Sequence, residues 1–398
     1  MNPNDLYNSP NALAPNYSRF RVAERLLLTG HSHQAWPDCG FEGQQAAWLD
    51  AAKYVDDKWE HAFARAERVR RGFARLLDDT DGCIALAPNT HELVVRFLSA
   101  LPLKTHSQLI STDGEFHTLR RQLDRLAEEG IEVVRVPQDP ITTLSERLGT
   151  AISDRTAAVL VSAVFFNTGL ILSGLAHLAE SCRGNGVPLL VDAYHALNVV
   201  PLSLRTEGLM DAFVVGGGYK YCQLGEGNCF LRFPRNCDLR PVFTGWYSEF
   251  TALADQQTPG RVVYGQGPDR FAGATYDPTS HYRAAAVFGF LDDQGLTPAL
   301  LREVSQHQIG LLAREFDALG VDPKIIRRDQ EIPLTRIGGF LALTAPNAGG
   351  LCRRLHDRGV CSDSRGDVLR LGPAPYLTDA QLVKAIATLG EVLRQSTG

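Results

Sequence analysis

LLVDAYHALNVVPLSLRTEGLMDAFVVGGGYKYCQLGEGNCFLRF, residues 189–233, is the stretch whose reading decides the fold. Two short β-branched runs, ending at Val191 and Val215, predict buried strands, and polar groups follow each of them at once. The first strand delivers Asp192 and then His195. The second runs into Gly216, Gly217 and Gly218 and delivers Tyr219, Lys220 and Tyr221. Taken singly, an acid after a strand is a cap or turn residue, and a lysine after glycines is a solvated loop. Taken together, a carboxylate and an amine, each just past a buried strand, with glycines that let a ligand press on the backbone, describe a cofactor pocket at the carboxyl edge of an α/β sheet.

Pyridoxal 5'-phosphate (PLP) needs such a pair. Its aldehyde takes a lysine as a Schiff base, and its ring nitrogen needs a carboxylate to stay protonated. Lys220 and Asp192 are the expected catalytic and cofactor-binding groups, with His195 beside them. The segments VDAYHALNVVPLSL, DAFVVGGGYKY and GEGNCFLRF resemble, in order, the same region of the kynureninases, a branch of the class V aminotransferase group of PLP enzymes with fold type I. The likeness continues along most of the chain.

Toward the N-terminus, CIALAPNT (83–90) reads as a strand whose polar end opens an apolar helix over 91–101. Such a junction is an anion site, because free first-turn amides and the helix dipole face the incoming charge. Asn89 equally suits the helix N-cap. The resemblance implies that Asn89 and Thr90 serve the PLP phosphate and that Phe116 lies on the PLP ring. It further implies that Asn167 and Thr168, in the turn FNTG, contact the ring hydroxyl or the substrate. One departure stands out. Kynureninases carry Phe-Pro-Ser/Thr-Asp where this chain has Phe116, His117, Thr118 and Leu119, so the acid expected near the cofactor is missing. His31 and Ser32, in the polar loop after a strand at 26–29, are expected to line the substrate. His31 and His33 have no acid or cysteine neighbours in sequence, so no metal site is expected.

Toward the C-terminus, the loop PVFTGWYSEF resembles the family's Gly-Trp segment, which implies that Trp246 and Tyr219 bind the phosphate. An ordered loop is expected over 254–282. Within it, RFAGATYDP implies that Thr275 reaches the phosphate of a neighbouring subunit, and hence a homodimer with its active sites at the subunit interface. DVLRLGPAPYLT implies that Arg370 grips the substrate α-carboxylate, for which a guanidinium offers a rigid two-pronged donor. Thr378 and Gln381 form a capping-box pattern before the last helix.

Strands and helical segments alternate, which predicts an α/β fold with a mostly parallel sheet flanked by helices. The expected organisation is a flexible N-terminal arm (1–24), a large PLP-binding domain (25–282) and a smaller α+β C-terminal domain (283–398), the PLP transferase type I fold. The chain has 398 residues, 44% apolar and 21% charged, with a net charge of −5 and no basic block, which argues against nucleic acid or a membrane surface as partner. No apolar run approaches the ~18 residues of a spanning helix. Eight cysteines without CxxC pairing read as thiols of a cytoplasmic protein.

The expected activity is attack on an amino acid through Cα deprotonation by Lys220, followed by kynureninase-like hydrolytic cleavage of the Cβ–Cγ bond. The alternative is a class V aminotransferase or β-eliminating lyase acting on another amino acid, which the loss of the acid at Leu119 favours. A cysteine desulfurase needs a nucleophilic cysteine on a mobile loop, whereas Cys352 and Cys361 fall in a predicted helix and strand. A PLP-holding regulatory domain has no DNA-binding module or basic extension to support it.

Overall fold

In the computed structural model, which describes residues 1–255 and 259–395, strands and helices alternate over residues 83–192. In chain order the elements are α1 (Asn4–Tyr7), β1 (Leu26–Leu27), α2 (Asp38–Tyr54), α3 (Lys58–Leu76), β2 (Cys83–Ala87), α4 (Thr90–Ser99), β3 (Gln108–Thr112), α5 (His117–Glu128), β4 (Glu132–Val136), α6 (Leu144–Thr150), β5 (Thr156–Ser162), α7 (Leu175–Gly184), β6 (Leu189–Asp192), β7 (Phe213–Gly217), β8 (Cys229–Phe233), α8 (Thr279–Asp293), α9 (Pro298–Ala318), β9 (Leu341–Thr344), α10 (Ala348–His356), β10 (Val360–Cys361), β11 (Asp363–Arg365), β12 (Val368–Leu371) and α11 (Asp379–Arg394). Part of the loop expected over 254–282, residues 256–258, lies outside the described residues.

A seven-stranded sheet with order β2-β8-β7-β6-β5-β3-β4 forms the frame of the large domain. From β7 to β4 every neighbouring pair is parallel, and β8 alone runs against both of its neighbours. Successive side chains of a strand point to opposite faces. Accordingly Ile110, Val159, Val161, Val191 and Val214 enter one apolar cluster, and Leu109, Leu160, Leu190 and Val215 enter the other. Both faces of the sheet are covered, so its polar groups emerge only at the strand ends. Register then aligns those ends, with Ser162 opposite Asp192 and Asp192 opposite Val215.

The C-terminal part carries an antiparallel sheet, β11-β12-β9, packed by α10, while α11 lies against α9 and α10. The capping box of α11 is formed, with Thr378 N donating to Gln381 Oε1 at 2.9 Å and Gln381 N donating to Thr378 Oγ1 at 3.3 Å.

Three expectations about organisation need correction. Residues 1–24 are not a loose arm, because Leu6, Leu13 and Tyr17 are fully buried and Asn11 Nδ2 donates to Pro375 O at 2.9 Å. Isolated apolar residues in that polar segment are enough to dock it. The strand at 26–27, placed by sequence in the large domain, instead pairs in parallel with β10 of the C-terminal part. The boundary expected at 282/283 falls inside α8, which packs on α2 and α3 of the large domain. No helix among the described residues is long and apolar enough to cross a membrane.

Candidate active site

Asp192 ends β6 and its Oδ1 accepts the backbone N–H of Tyr194 at 2.8 Å, which turns the chain sharply and brings His195 under the sheet edge. Asn198 closes this turn and donates from Nδ2 to Tyr221 O at 3.2 Å, tying the segment after β6 to the segment after β7. Lys220 follows β7, is only 7% exposed, and sets its Nζ 2.8 Å from His195 Nε2. The rings of Phe116, Tyr194 and Tyr219 lie 5.6, 5.2 and 5.6 Å from that nitrogen. The sequence-predicted groups Lys220, His195, Phe116 and Tyr219 therefore converge.

Their electrostatics follow from burial. Desolvation and then the charge of Arg370 push the Lys220 amine down to about 7, although Asp192 and Asp363 pull it the other way. The same desolvation, with Lys220 close by, holds His195 well below its ordinary value. Burial raises Asp192, against the Tyr194 amide and the Lys220 charge. The result is an amine that is partly neutral near pH 7 beside a neutral imidazole.

The glycine run has a different cause from the one expected. A Cβ on Gly216 would lie 2.6 Å from Leu197 Cδ1, one on Gly217 2.5 Å from both Cys229 Sγ and Tyr194 Oη, and one on Gly218 2.5 Å from Leu224 Cδ1. These glycines admit the protein's own side chains rather than a ligand. At the start of α4, the cap reading of Asn89 holds: its Oδ1 accepts Glu92 N at 2.9 Å. That commitment leaves half-buried Thr90 as the free side chain at the helix start.

Arg370, 3% exposed, donates from Nη1 to Phe166 O at 2.6 Å, which joins β12 to the turn that carries Asn167 and Thr168. Asn167 Oδ1 is buried without a hydrogen-bond partner among the described residues, while Thr168 Oγ1 accepts Leu170 N at 3.3 Å. His31 is fully buried with its Nε2 3.1 Å from Asp363 Oδ1. Ser32 Oγ turns to His33 Nδ1 at 3.1 Å, and it is His33 that reaches the cluster, stacked on Tyr219 with 4.7 Å between ring centroids.

Trp246 and Thr275 are not brought to this cluster within one chain. Trp246 Nε1 donates to Thr275 Oγ1 at 3.3 Å in a separate surface segment, where Trp246 is 43% exposed. Thr275 lines a cavity of about 700 Å³ together with Pro88, Arg96, Tyr276 and His281, and neither Lys220 nor Asp192 is among its walls.

Two acids and an aromatic escaped the sequence reading. Asp363 lies directly opposite Arg370 across β11 and β12, and the Gly366–Asp367 pair between those strands is a hairpin signal that would have placed it. Glu115 is buried, with Oε2 accepting Ser162 Oγ at 2.6 Å and Oε1 accepting Thr112 Oγ1 at 2.7 Å. Nothing in its sequence context distinguishes it from a loop acid. Leu119, where the family's acid was expected, is 3% exposed and packs in the apolar cluster with Leu123, so the site's additional acid enters through Glu115 instead. Phe340 lies 4.7 Å from the His31 ring and 6.0 Å from the His195 ring.

Comparison with known proteins fits this arrangement. Residues 301–389, which include the Arg370 strand, match the family model of the kynureninase C-terminal domain. A kynureninase of Xanthomonas oryzae pv. oryzae is 27% identical over 391 residues, 91% of this chain and 84% of that protein. An uncharacterized aminotransferase, YcbU of Bacillus subtilis, is 22% identical over 85% of this chain and 87% of its own length. The solved structure of a C-DES mutant with glycine covalently linked to its PLP cofactor superposes with a TM-score of 0.81 at 16% identity, covering 95% of this chain and 98% of that one. These likenesses support a class V PLP-dependent protein of fold type I.

The residues present suit the cofactor. His195 Nδ1, Asn167 Oδ1 and the Tyr221 hydroxyl are buried with no hydrogen-bond partner among the described residues. Orphaned polar atoms of this kind are costly unless something else satisfies them. The His195 ring meets the Lys220 amine through its other nitrogen, and a carboxylate stands close enough to shift that amine's titration, the two groups that PLP requires.

Proposed function

We propose that this class V enzyme acts on an amino acid by removing its Cα proton, and that the ensuing reaction is kynureninase-like hydrolysis of the Cβ–Cγ bond. The observation that carries the reading is the Lys220 amine, buried, brought to about pH 7 and set against Asp192, His195 and the Phe116 ring. Lys220, Asp192, His195, Phe116, Thr90, Thr168 and Tyr219 would hold PLP. When bound, the cofactor supplies an electron sink for charge developing at Cα.

Arg370 holds the substrate α-carboxylate and so fixes which Cα bond is exposed to the base. Asn167 and the His31 loop line the substrate. Lys220, once free, takes the Cα proton, a task for which an amine titrating near 7 is matched to the operating pH. Water then adds to a γ-carbonyl, and cleavage releases alanine and the carboxylic acid of the remaining side chain. Likeness to kynureninases over nine-tenths of the chain supports this choice of reaction. The surface segment with Val242 (75% exposed), Phe243 (62%) and Trp246 suits coverage by a second copy, which would place Trp246 and Thr275 at the partner's phosphate.

A second reading, aminotransfer or β-elimination on another amino acid, is favoured by Leu119, which is core where kynureninases have an acid. Protein supplied with PLP separates the two. Release of an anthranilate and alanine from L-kynurenine or 3-hydroxykynurenine supports hydrolysis. Accumulation of pyridoxamine phosphate, with recovery only on adding a keto acid, supports aminotransfer. Failure to develop a borohydride-sensitive absorption band that Lys220→Ala abolishes would sink both.

A further inference from the structure

Arg370 does not stand free. Its Nε donates to Asp363 Oδ1 at 2.7 Å, its Nη2 to Asp363 Oδ2 at 2.6 Å and its Nη1 to Phe166 O at 2.6 Å. A guanidinium has five N–H groups. With Asp363 and Phe166 engaged, one N–H remains on each terminal nitrogen, and a bound carboxylate meets that pair and no other.

Asp363 is itself held. It faces Arg370 across the β11–β12 ladder, which fixes its backbone. His31 Nε2 lies 3.1 Å from its Oδ1. An ionised carboxylate only accepts, so Nε2 carries the hydrogen and Nδ1 the lone pair. Burial brings His31 down to about 4, so this ring is neutral at ordinary pH. Burial opposes the Asp363 charge, but the His31 and Arg370 hydrogen bonds outweigh it and keep the carboxyl ionised. The seat of the His31 ring is cut to fit: a Cβ on Gly372 would lie 2.2 Å from Nδ1, and Phe340 closes the other side. Exposed Arg365 approaches Asp363 Oδ2 only at 3.8 Å and adds a weak rim contact.

We infer that Asp363, backed by His31, is a positioning pair that fixes the plane of Arg370, so that the substrate α-carboxylate is taken in one preset orientation. The inference rests on the reading of Arg370 as the carboxylate grip. An arginine already paired with a carboxylate brings little net charge to a second one, so what Asp363 contributes is direction rather than attraction. Removing it leaves a cation that still attracts the substrate but keeps only the Phe166 O hydrogen bond and the Phe340 ring, 5.6 Å away, to hold it. Affinity should survive while the orientation of the Cα–H bond suffers.

The test uses the PLP-loaded enzyme with L-alanine, following α-hydrogen exchange in D2O by NMR and affinity by the cofactor's absorbance change. Asp363→Ala should lower exchange at saturating L-alanine by about 10- to 100-fold, the scale of a small misplacement of reacting groups, with Kd within about threefold. Asp363→Asn keeps the side-chain volume and should show a smaller fall of the same kind, and it stands in if the alanine variant does not fold. His31→Phe keeps the packing on Phe340 but loses the donor, and should also lower exchange without changing Kd. Unchanged exchange in Asp363→Ala and Asp363→Asn, or a loss found wholly in Kd, overturns the inference. Arg370→Ala distinguishes the two layers. If it weakens L-alanine binding while the Asp363 variants behave normally, only the positioning role fails. If it leaves binding intact, or if the unaltered holoenzyme exchanges neither L-alanine nor L-kynurenine, the reading beneath it fails as well.

Discussion

The two ends of β7 hold two buried cations that are treated in opposite ways. At its beginning, Val214 pairs with Arg232 of β8, which is 1% exposed. Arg232 Nε donates to Asp79, and its Nη1 donates to Met210 O and Ala212 O, both at 2.8 Å. Burial works against the Asp79 charge, but the Arg232 hydrogen bond and charge, with the Gly82 and Asp81 amides, hold that carboxyl below its ordinary value. Beyond the other end, Lys220 is also buried but has a neutral imidazole as its close partner, and its pKa falls. A buried cation whose donors are met is structural. A buried cation left short, among other orphaned polar atoms, is poised for chemistry.

Substitution should therefore dissociate activity from stability in opposite senses at the two ends. Lys220→Met should lower Cα-hydrogen exchange by about 10²- to 10⁴-fold, the usual contribution of a positioned proton acceptor. It should not destabilise the cofactor-free protein. Because folding lowers the pKa of Lys220 from 10.5 to about 7, the unfolded chain binds more protons across that window, and stability rises with pH there. Methionine removes the dependence, so the variant should be the more stable protein at pH 7, with its advantage shrinking toward pH 10. Urea denaturation at several pH values checks both signs. A large loss of stability in Lys220→Met would make the amine structural and dissolve the contrast.

Arg232→Met is the converse and the next largest effect. It strands Asp79 and two carbonyls, which should cost about 3–5 kcal/mol, while exchange by the folded holoenzyme stays near that of the parent. Adding Asp79→Leu should recover much of the loss, since a buried pair replaced by apolar groups of similar size is often tolerated.

How legible these regions were in the sequence depends on how local their signals are. Asp192, Lys220 and the Asn89 cap each follow a short apolar run, so strand ends and polarity were enough to find them. Arg370 looks like any strand arginine and was reached through family resemblance alone. Asp363 and His31 were harder, since their contact spans most of the chain and depends on β1, two residues long, pairing with β10. Two-residue strands have no periodicity to read. The glycines after Val215 were found but misread, because sequence cannot say whether a missing Cβ makes room for a ligand or for Leu197, Tyr194 and Leu224. The docked N-terminal residues were missed for a related reason: Leu6, Leu13 and Tyr17 are too widely spaced to announce a core.

Glu115 offers the smallest and sharpest refinement of the comparison. Burial raises its carboxyl from 4.5 to about 7, against hydrogen bonds from Ser162 and Thr112 and with the Asp192 charge adding to the rise. Here the folded state binds the extra proton, so stability falls as pH rises from about 4.5 through 7, opposite in sign to Lys220. Glutamine can keep the contacts, its oxygen accepting from Thr112 Oγ1 and Ser162 N and its amide donating to Ser162 Oγ. Glu115→Gln should thus flatten stability between pH 5 and 7 and leave the variant more stable than the parent at pH 8, by on the order of 1–3 kcal/mol. Because the charge beside Asp192 is removed, the absorbance of bound PLP should also lose any titration near pH 7 that the parent shows. A variant less stable at pH 8 would mean that Glu115 is ionised and satisfied like Asp79, and the carboxyl edge of the sheet would then hold one poised acid rather than two.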